Sequence, residues 1–356
     1  MPNIQEVAVL AGVSTATVSH VLNGTKHVSP KLRKRVLKVA QDLNYQPSTI
    51  ARSLITRRTK SVGMLVTDIT NPFYPVLVRA AEDVLTREGY ALVIGNSDGD
   101  PRKEEAFYRA VTAKWVDGLI LITCPTAYPP AYLSRHNFEQ TPIVFVNRDY
   151  PSMRADSVIA DNSQGSYQAV SHLLNAGHQR VGIITGPRDH VMSVQRLLGY
   201  EGALRDFGLK VEAELVREGC FDIESGYQRA KALLGLPNRP TALHVCNVPM
   251  TTGALQAIFE SGIGFPGEIA LVSFDDQDWL SAIRPSISAV AQPVYELGAA
   301  AADILLKRIS GALTDPPCRK VLKTQLMVRE SSNWQLSAEQ RVERAGRTPE
   351  PPRHGA

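Results

Sequence analysis

Between Ser14 and His20 the chain presents a run of small polar side chains: Ser14, Thr15, Thr17, Ser19 and His20, with Ala16 among them. Hydroxyls and an imidazole can donate to phosphates and base edges, and a small alanine can meet a thymine methyl. This is the chemistry of reading a duplex. A second set of polar residues collects where apolar runs end: Asp68, Asn71, Asn96, Asn147-Arg148-Asp149, Asn247 and Asp275-Asp276. Such positions bind hydroxylated or charged small molecules through charge-assisted hydrogen bonds. Three further patterns imitate other chemistries. Gly262-Ile263-Gly264-Phe265-Pro266-Gly267 matches G-x-G-x-x-G, but it follows a helical segment and precedes a strand, the reverse of a dinucleotide site. Gly95-Asn96-Ser97-Asp98-Gly99 matches G-x-S-x-G, yet Pro101 delays the next helix, so no nucleophile elbow is evident. Asp275-Asp276 has no His or Glu cluster beside it to complete a metal site. No catalytic residue, metal or cofactor is expected.

The duplex-reading residues need a frame, and residues 1–46 supply one. Ile4, Val7, Ala8 and Ala11 recur at helical spacing, and Gly12 suits a tight turn. A short helix from Thr15 to Leu22 turns Val18, Val21 and Leu22 inward and ends at Asn23-Gly24. Ser29-Pro30 marks a third start, Ser as N-cap and Pro at N1, and Leu32, Val36, Val39 and Leu43 line that helix's buried face. Two short helices, a glycine turn and a bracing helix make a helix-turn-helix whose second helix reads DNA. Charge agrees. Residues 1–60 carry ten Lys/Arg against Glu6 and Asp42, a balance of +8, whereas the remainder is −4. A basic head on a mildly acidic body points to nucleic acid.

From Ser61 the texture changes. Val62–Val66, Ala91–Ile94, 118–122 and Ile143–Val146 form one series of strand-like runs; Val181–Ile184, Ala242–Val245 and Ile269–Val272 form another. Continuous apolar runs separated by helices predict parallel strands buried on both faces, hence two doubly wound α/β lobes with a cleft between them.

Specific motifs then identify a resemblance. Asn3-Ile4-Gln5-Glu6-Val7-Ala8, Ala11-Gly12-Val13-Ser14, Thr17-Val18-Ser19-His20-Val21-Leu22-Asn23, Val28-Ser29-Pro30 and Leu43-Asn44-Tyr45-Gln46-Pro47 resemble the head of the lactose-repressor (LacI/GalR) family. In the body, Asn71-Pro72-Phe73-Tyr74, Val116-Asp117-Gly118-Leu119, Asp161-Asn162, Gly177-His178, 196–200, Phe274-Asp275-Asp276 and 292–298 do the same. The resemblance implies that Thr15, Ala16 and His20 read bases while Ser14, Thr17 and Asn23 hold phosphates, with Lys26 and Arg52 in the DNA-facing set. It makes residues 47–60 a hinge helix and linker, ordered when paired on DNA, with Leu54 wedged between base steps.

For the body it implies a core of periplasmic-binding-protein type over 61–332, crossing between lobes near 161, 291 and 322. The N-lobe is then about 61–161 and 292–322, the C-lobe about 162–291 and 323–332, and 333–356 reads as a disordered tail. The implied effector set is Asn71, Phe73, Tyr74, Asn147, Arg148, His190, Arg196, Phe221, Asn247, Asp275 and Trp279, with Phe73 and Phe221 stacking on sugar faces.

Two departures from the family pattern matter. Asn147 and Val248 stand where relatives often carry acids. With Asp275 as the one carboxylate of the set against Arg148 and Arg196, a net positive cleft is expected, suited to a sugar acid or sugar phosphate over a neutral sugar. Inward-turned Asp149 or Asp276 would instead leave it neutral.

The expected function is a sequence-specific transcriptional regulator, a repressor, acting as a homodimer on a pseudo-palindromic operator under control of a small sugar-like effector. A free sugar-binding protein or a sugar-modifying enzyme without a DNA role explains the body alone. Bulk properties agree with the first. The chain has 356 residues, 44% hydrophobic and 21% charged, enough to bury cores in two or three domains. Neither a secretory leader nor a membrane span is expected, and Cys124, Cys220, Cys246 and Cys318, far apart in sequence, read as reduced, mostly core thiols of a cytoplasmic protein.

Overall fold

The computed structural model describes residues 2–23, 26–45, 58–113, 116–124 and 128–333. Arg52, Leu54, the expected hinge helix and nearly all of the expected tail lie outside the described residues.

The head holds α1 (Ile4–Ala11), α2 (Thr15–Asn23) and α3 (Pro30–Asp42). Asn3 caps α1, its side-chain oxygen accepting from Gln5 N and Glu6 N while its amide donates to Glu6 Oε1 at 3.1 Å. Two orphan N–H groups are satisfied this way. Gly12, at φ 61°, closes α1 in the left-handed region and turns the chain into α2. Pro30 begins α3, but Ser29 makes no side-chain capping bond, so proline's fixed φ alone starts that helix. Val7, Ala8, Ala11, Val18, Val21, Val36 and Ala40 form the head's core.

The body contains two six-stranded sheets among the described residues. The first comprises β1 (Ser61–Val66), β2 (Ala91–Asn96), β3 (Gly118–Leu121), β4 (Ile143–Val146), β5 (Asp156–Ala160) and β11 (Arg319–Leu322), ordered β11-β5-β4-β3-β1-β2. The second comprises β6 (Val181–Thr185), β7 (Val216–Glu218), β8 (Ala242–Val245), β9 (Ala270–Phe274), β10 (Ser288–Ala291) and β12 (Gln325–Met327), ordered β12-β10-β9-β8-β6-β7. All pairings are parallel except β10 with β12. The helices between them are α4 (Phe73–Arg87), α5 (Pro101–Thr112), α6 (Asn162–Ala176), α7 (Val191–Asp206), α8 (Ile223–Leu234), α9 (Val248–Ser261), α10 (Asp278–Ala282) and α11 (Val294–Ser310). The order reverses between β1 and β3 in one lobe and between β6 and β8 in the other, which are the points where such sheets open a crevice.

The inner strands are buried on both faces, as their unbroken apolar runs predict. The run Ala91–Ile94 departs from that expectation. It forms the edge strand β2, and Val93 and Ile94 are exposed. Cys124 and Cys246 are buried, whereas Cys220 and Cys318 lie at the surface, so half of the thiols are not core.

Two histidines are sealed inside the C-lobe. His178 Nδ1 lies 2.8 Å from Thr241 Oγ1, and His244 Nδ1 lies 3.2 Å from Val272 O. Burial, with His172 close by, depresses His178 to about 4; burial depresses His244 likewise to about 4, Arg196 adding to it. Both are therefore neutral when folded, while in the unfolded chain they take protons near about pH 6.5. Stability from these groups is full above about pH 6.5 and falls as pH drops toward 4. Melting curves over that range should show the fall, and His244→Leu, which cannot titrate, should flatten part of it. An unchanged slope in the variant would contradict this account.

Candidate functional site

Between the lobes lies a cavity of about 400 Å³. Its wall brings together Asn71, Phe73, Tyr74, Asn147, Arg148, His190, Arg196, Phe221, Asn247 and Asp275, ten of the residues expected there. They come from both lobes, and all but Arg196, which lies in the second turn of α7, follow a strand or stand at the start of a helix. Asn147 directly follows β4, and Asp275 directly follows β9. Phe221 stands between β7 and α8, and Asn247 caps α9.

Three of these residues occupy the left-handed region without being glycine: Asn147 (φ 52°), Phe221 (φ 63°) and Asp275 (φ 71°). For a bulky Phe this is a true outlier, and such strain persists only where neighbours over-determine it. The neighbours are visible. Asn147 Oδ1 accepts from Ala160 N at 3.2 Å. Asn247 Nδ2 donates to Phe221 O at 3.0 Å while its Oδ1 accepts from Met250 N. Asp275 Oδ1 accepts from Gln292 Nε2 at 2.5 Å. A Cβ on Gly186 would sit 2.0 Å from Phe221 Cζ, so only glycine leaves room for that ring. The His190 ring stacks on Phe221 with centroids 5.3 Å apart. Burial draws the His190 pKa down, against the pull of Asp189, so the ring is neutral at physiological pH.

The two arginines are buried, and both are committed to backbone. Arg148 Nε donates to Thr123 O at 3.0 Å and Nη1 to Asn147 O at 2.7 Å; Nη1 also lies 3.7 Å from Met192 Sδ on the facing lobe. Arg196 Nε donates to Asn162 Oδ1 at 2.9 Å, Nη1 donates to Cys246 O, and the guanidinium carbon sits 3.7 Å above the Phe274 ring. Carbonyl acceptors and a ring face offset part of the cost of burying charge.

The expectation of a net positive cleft fails. Asp68, Asp98 and Asp222 line the cavity besides Asp275, so four carboxylates face two guanidinium groups. Asp149 and Asp276 do not turn inward; they pair with Arg319 and Arg329, each at 2.7 Å. Asp98 and Asp222 escaped notice because each reads as a local device. Asp222 caps α8, and Asp98 takes hydrogen bonds from Asn96 and Lys103 beside β2. Gln292, just past β10, obeys the strand-end rule and was legible by it; Met192 carries no sequence signal.

Trp279 does not reach the cavity. The turn after Asp275 sends α10 outward, and Trp279 lines a shallow apolar depression with Thr252, Leu255, Phe259 and Ile283 on the α9 side.

In the head, Ser14, Thr15 and Ala16 are exposed at the start of α2, and Lys26 is exposed beyond it. Ser14 Oγ accepts from Thr17 N at 3.2 Å and lies 2.9 Å from Thr17 Oγ1, so it caps the helix. Thr17 and His20 are half-buried on the following turns, and Asn23 is the last residue of α2.

Residues 3–48 match the model of bacterial regulatory proteins of the lacI family, and residues 170–332 match a periplasmic binding protein-like domain. The ribose operon repressor of Escherichia coli K12 is 36% identical over 87% of this chain and 94% of its own length. A transcriptional regulator CelR–cellobiose complex superposes with a TM-score of 0.70 at 32% identity, covering 93% of this chain and all of that one. The Lac repressor dimer bound to operator and the anti-inducer ONPF gives a TM-score of 0.80 at 26% identity, covering 93% and 99%.

The commitment of Arg196 to Asn162 and Cys246 makes it part of the scaffold. Arg196→Met should lower stability by about 1–3 kcal/mol in urea unfolding without any ligand, because two buried acceptors lose their donor. An unchanged midpoint would mean that other donors replace it.

Proposed function

This chain belongs to the lacI family of bacterial regulatory proteins, and from that premise we propose that it is a homodimeric transcriptional repressor released or tightened on its operator by a neutral sugar in the interlobe cavity. The DNA half of the reading rests on the head. Helix α2 offers Ser14, Thr15 and Ala16 to solvent, Thr17 and His20 flank them, and Lys26, Lys31, Arg33, Lys34, Arg35 and Lys38 of the same head are exposed. A regulator with a DNA partner works in the cytoplasm, and the reading gives the cavity a binding role with no catalytic step. Within the family resemblance, residues 47–60 act as hinge and linker between the head and a core over 61–332.

The effector half rests on one observation: the four carboxylates of the cavity wall outnumber its arginines. Carboxylates accept from sugar hydroxyls and repel a phosphate or sugar acid. Arginine N–H groups donate to the same hydroxyls, and Phe73, Tyr74 and Phe221 offer faces to the C–H side of a sugar ring. The relative named for ribose supports a pentose-sized ligand.

Calorimetric titration with D-ribose, D-ribonate and D-ribose 5-phosphate separates the classes. The neutral sugar should bind tightest, by about tenfold or more over either anion. Tighter binding of both anions would restore the positive-cleft reading.

The DNA half has its own measurement. Operator affinity should fall steeply with salt, as phosphate neutralisation demands. Leu54→Ala should weaken the cognate site by about a few kcal/mol while barely changing random DNA, since a wedge gains contact only at a deformable step. Equal losses on both DNAs would remove Leu54 from the reading.

A further inference from the structure

Arg148 enters the cavity wall buried to 3% exposure, and among the described residues no carboxylate lies in ion-pair contact with it. Its Nε–H donates to the Thr123 carbonyl at 3.0 Å. The N–H at the other end of that same peptide unit, on Cys124, donates to Glu104 Oε2 at 2.6 Å. Glu104 projects from α5 and is 1% exposed; its Oε1 accepts from Tyr132 Oη at 2.6 Å. One peptide group therefore stands between a buried guanidinium on its oxygen side and a buried carboxylate on its N–H side.

That is the orientation both charges favour. A peptide carries a dipole of about 3.5 D, positive at N–H and negative at oxygen. A carboxylate at the N–H end polarises it further, and a more polarised carbonyl holds the guanidinium more strongly. In a site shut off from water the effect is screened little. We propose that Glu104 is a positioning residue for the interlobe cavity, a counter-charge relayed through the Thr123–Cys124 peptide that fixes Arg148 in the wall and so sets effector affinity.

The inference rests on the cavity being the effector site. It explains a choice that local stapling does not. A glutamine at 104 could bridge Cys124 N–H and Tyr132 as well as a glutamate, without the cost of burying a charge. A carboxylate there makes sense when a buried cation lies one peptide away. The surrounding groups respond accordingly. Burial, then Glu104, pushes the Cys124 thiol up to about 12 and the Tyr132 hydroxyl above its ordinary value. Burial draws Arg148 down, and Tyr74, Tyr150 and Glu104 oppose that shift.

The test uses the full-length protein with Glu104→Gln, which keeps the size, can still accept from Cys124 N–H while donating to the Tyr132 hydroxyl oxygen, and removes the charge. The first readout needs no ligand: the Arg148 Nε–H resonance of the deuterated, ¹⁵N-labelled protein, assigned by its loss in Arg148→Lys. In the variant this signal should shift, and its exchange with water should quicken by about tenfold or more as the hydrogen bond opens more often. The second readout is calorimetric titration with D-ribose. Glu104→Gln should weaken binding by about tenfold, whereas in an Arg148→Met background the same change should add no further loss.

An unmoved, equally protected Arg148 signal would overturn the proposal. So would an equal loss of D-ribose affinity in both backgrounds, because Glu104 would then act on the fold at large. Should wild type not bind D-ribose, the neutral-sugar reading fails on its own and the resonance decides the role of Glu104. Should Glu104→Gln not fold, Glu104→Asp retains the charge but withdraws it by one methylene; it should move the Arg148 signal in part, and an unmoved signal there overturns the proposal equally.

Discussion

The cavity depends on one constraint: parallel strands covered by helices on both faces are lined mainly by apolar side chains, and the few polar ones within them, such as His244 in β8 and Ser273 in β9, are buried in the core and do not line the cavity. Val62, Met64, Leu65 and Val66 in β1, or Leu243 and Val245 in β8, have no solvent to turn toward. Most polar groups of the wall therefore stand just beyond the strands or at helix starts, with Arg196 reaching in from within α7. Asn147 and Asp275 stand there, and the left-handed turn at each breaks the strand direction abruptly. Side chains that would otherwise continue the sheet are thereby placed at its rim. Two lobes built alike set two such rims face to face.

Burying arginines in that rim creates the second requirement. A guanidinium withdrawn from water needs acceptors on several sides, and side-chain carboxylates are a risky supply because they would compete with the ligand for the same donors. Backbone carbonyls of Thr123, Asn147 and Cys246 avoid the competition. The acids of the wall are meanwhile occupied with neighbours: Asp222 with Ser225 N, Asp275 with Gln292, Asp68 with Thr70. The wall is thus polar and charged, and most of its groups are held by neighbours, while the buried His190 Nδ1 and Gln292 Oε1 have no hydrogen-bond partner among the described residues.

Much of this architecture is written locally and is readable for that reason. Unbroken apolar runs announce the inner strands, and polar residues beyond them announce most of the cavity. Gly12 and the spacing Val7, Ala8, Ala11 announce the helix-turn-helix. What is not readable depends on partners distant in sequence. Val93 and Ile94 look like core until the sheet order makes β2 an edge. Trp279 belongs to the expected effector set until the turn after Asp275 carries it outward. Glu104 sits in Pro101-Arg102-Lys103-Glu104-Glu105, a segment that reads as solvated surface, yet it is sealed beside Cys124 and Tyr132. The charge of the cavity is hidden from the sequence on the same ground, since an acid that caps a helix and an acid that lines a cavity look alike until the fold joins them.

At the opposite ends of the strands, residues 58–60 are held on the N-lobe. Asp117, the residue before β3, accepts from Thr59 N at 2.6 Å, Thr59 Oγ1 at 2.8 Å and Lys60 N at 3.0 Å. Thr59 and Lys60 are thereby fixed to the N-lobe just before β1 begins. One residue earlier, Arg58 Nη2 donates to Ile309 O at 3.2 Å, near the end of α11. That helix starts two residues after Gln292, in the cavity wall, and its 17 residues span roughly 25 Å. Helix α11 therefore begins beside the cavity wall and carries the Arg58 contact near its last residues.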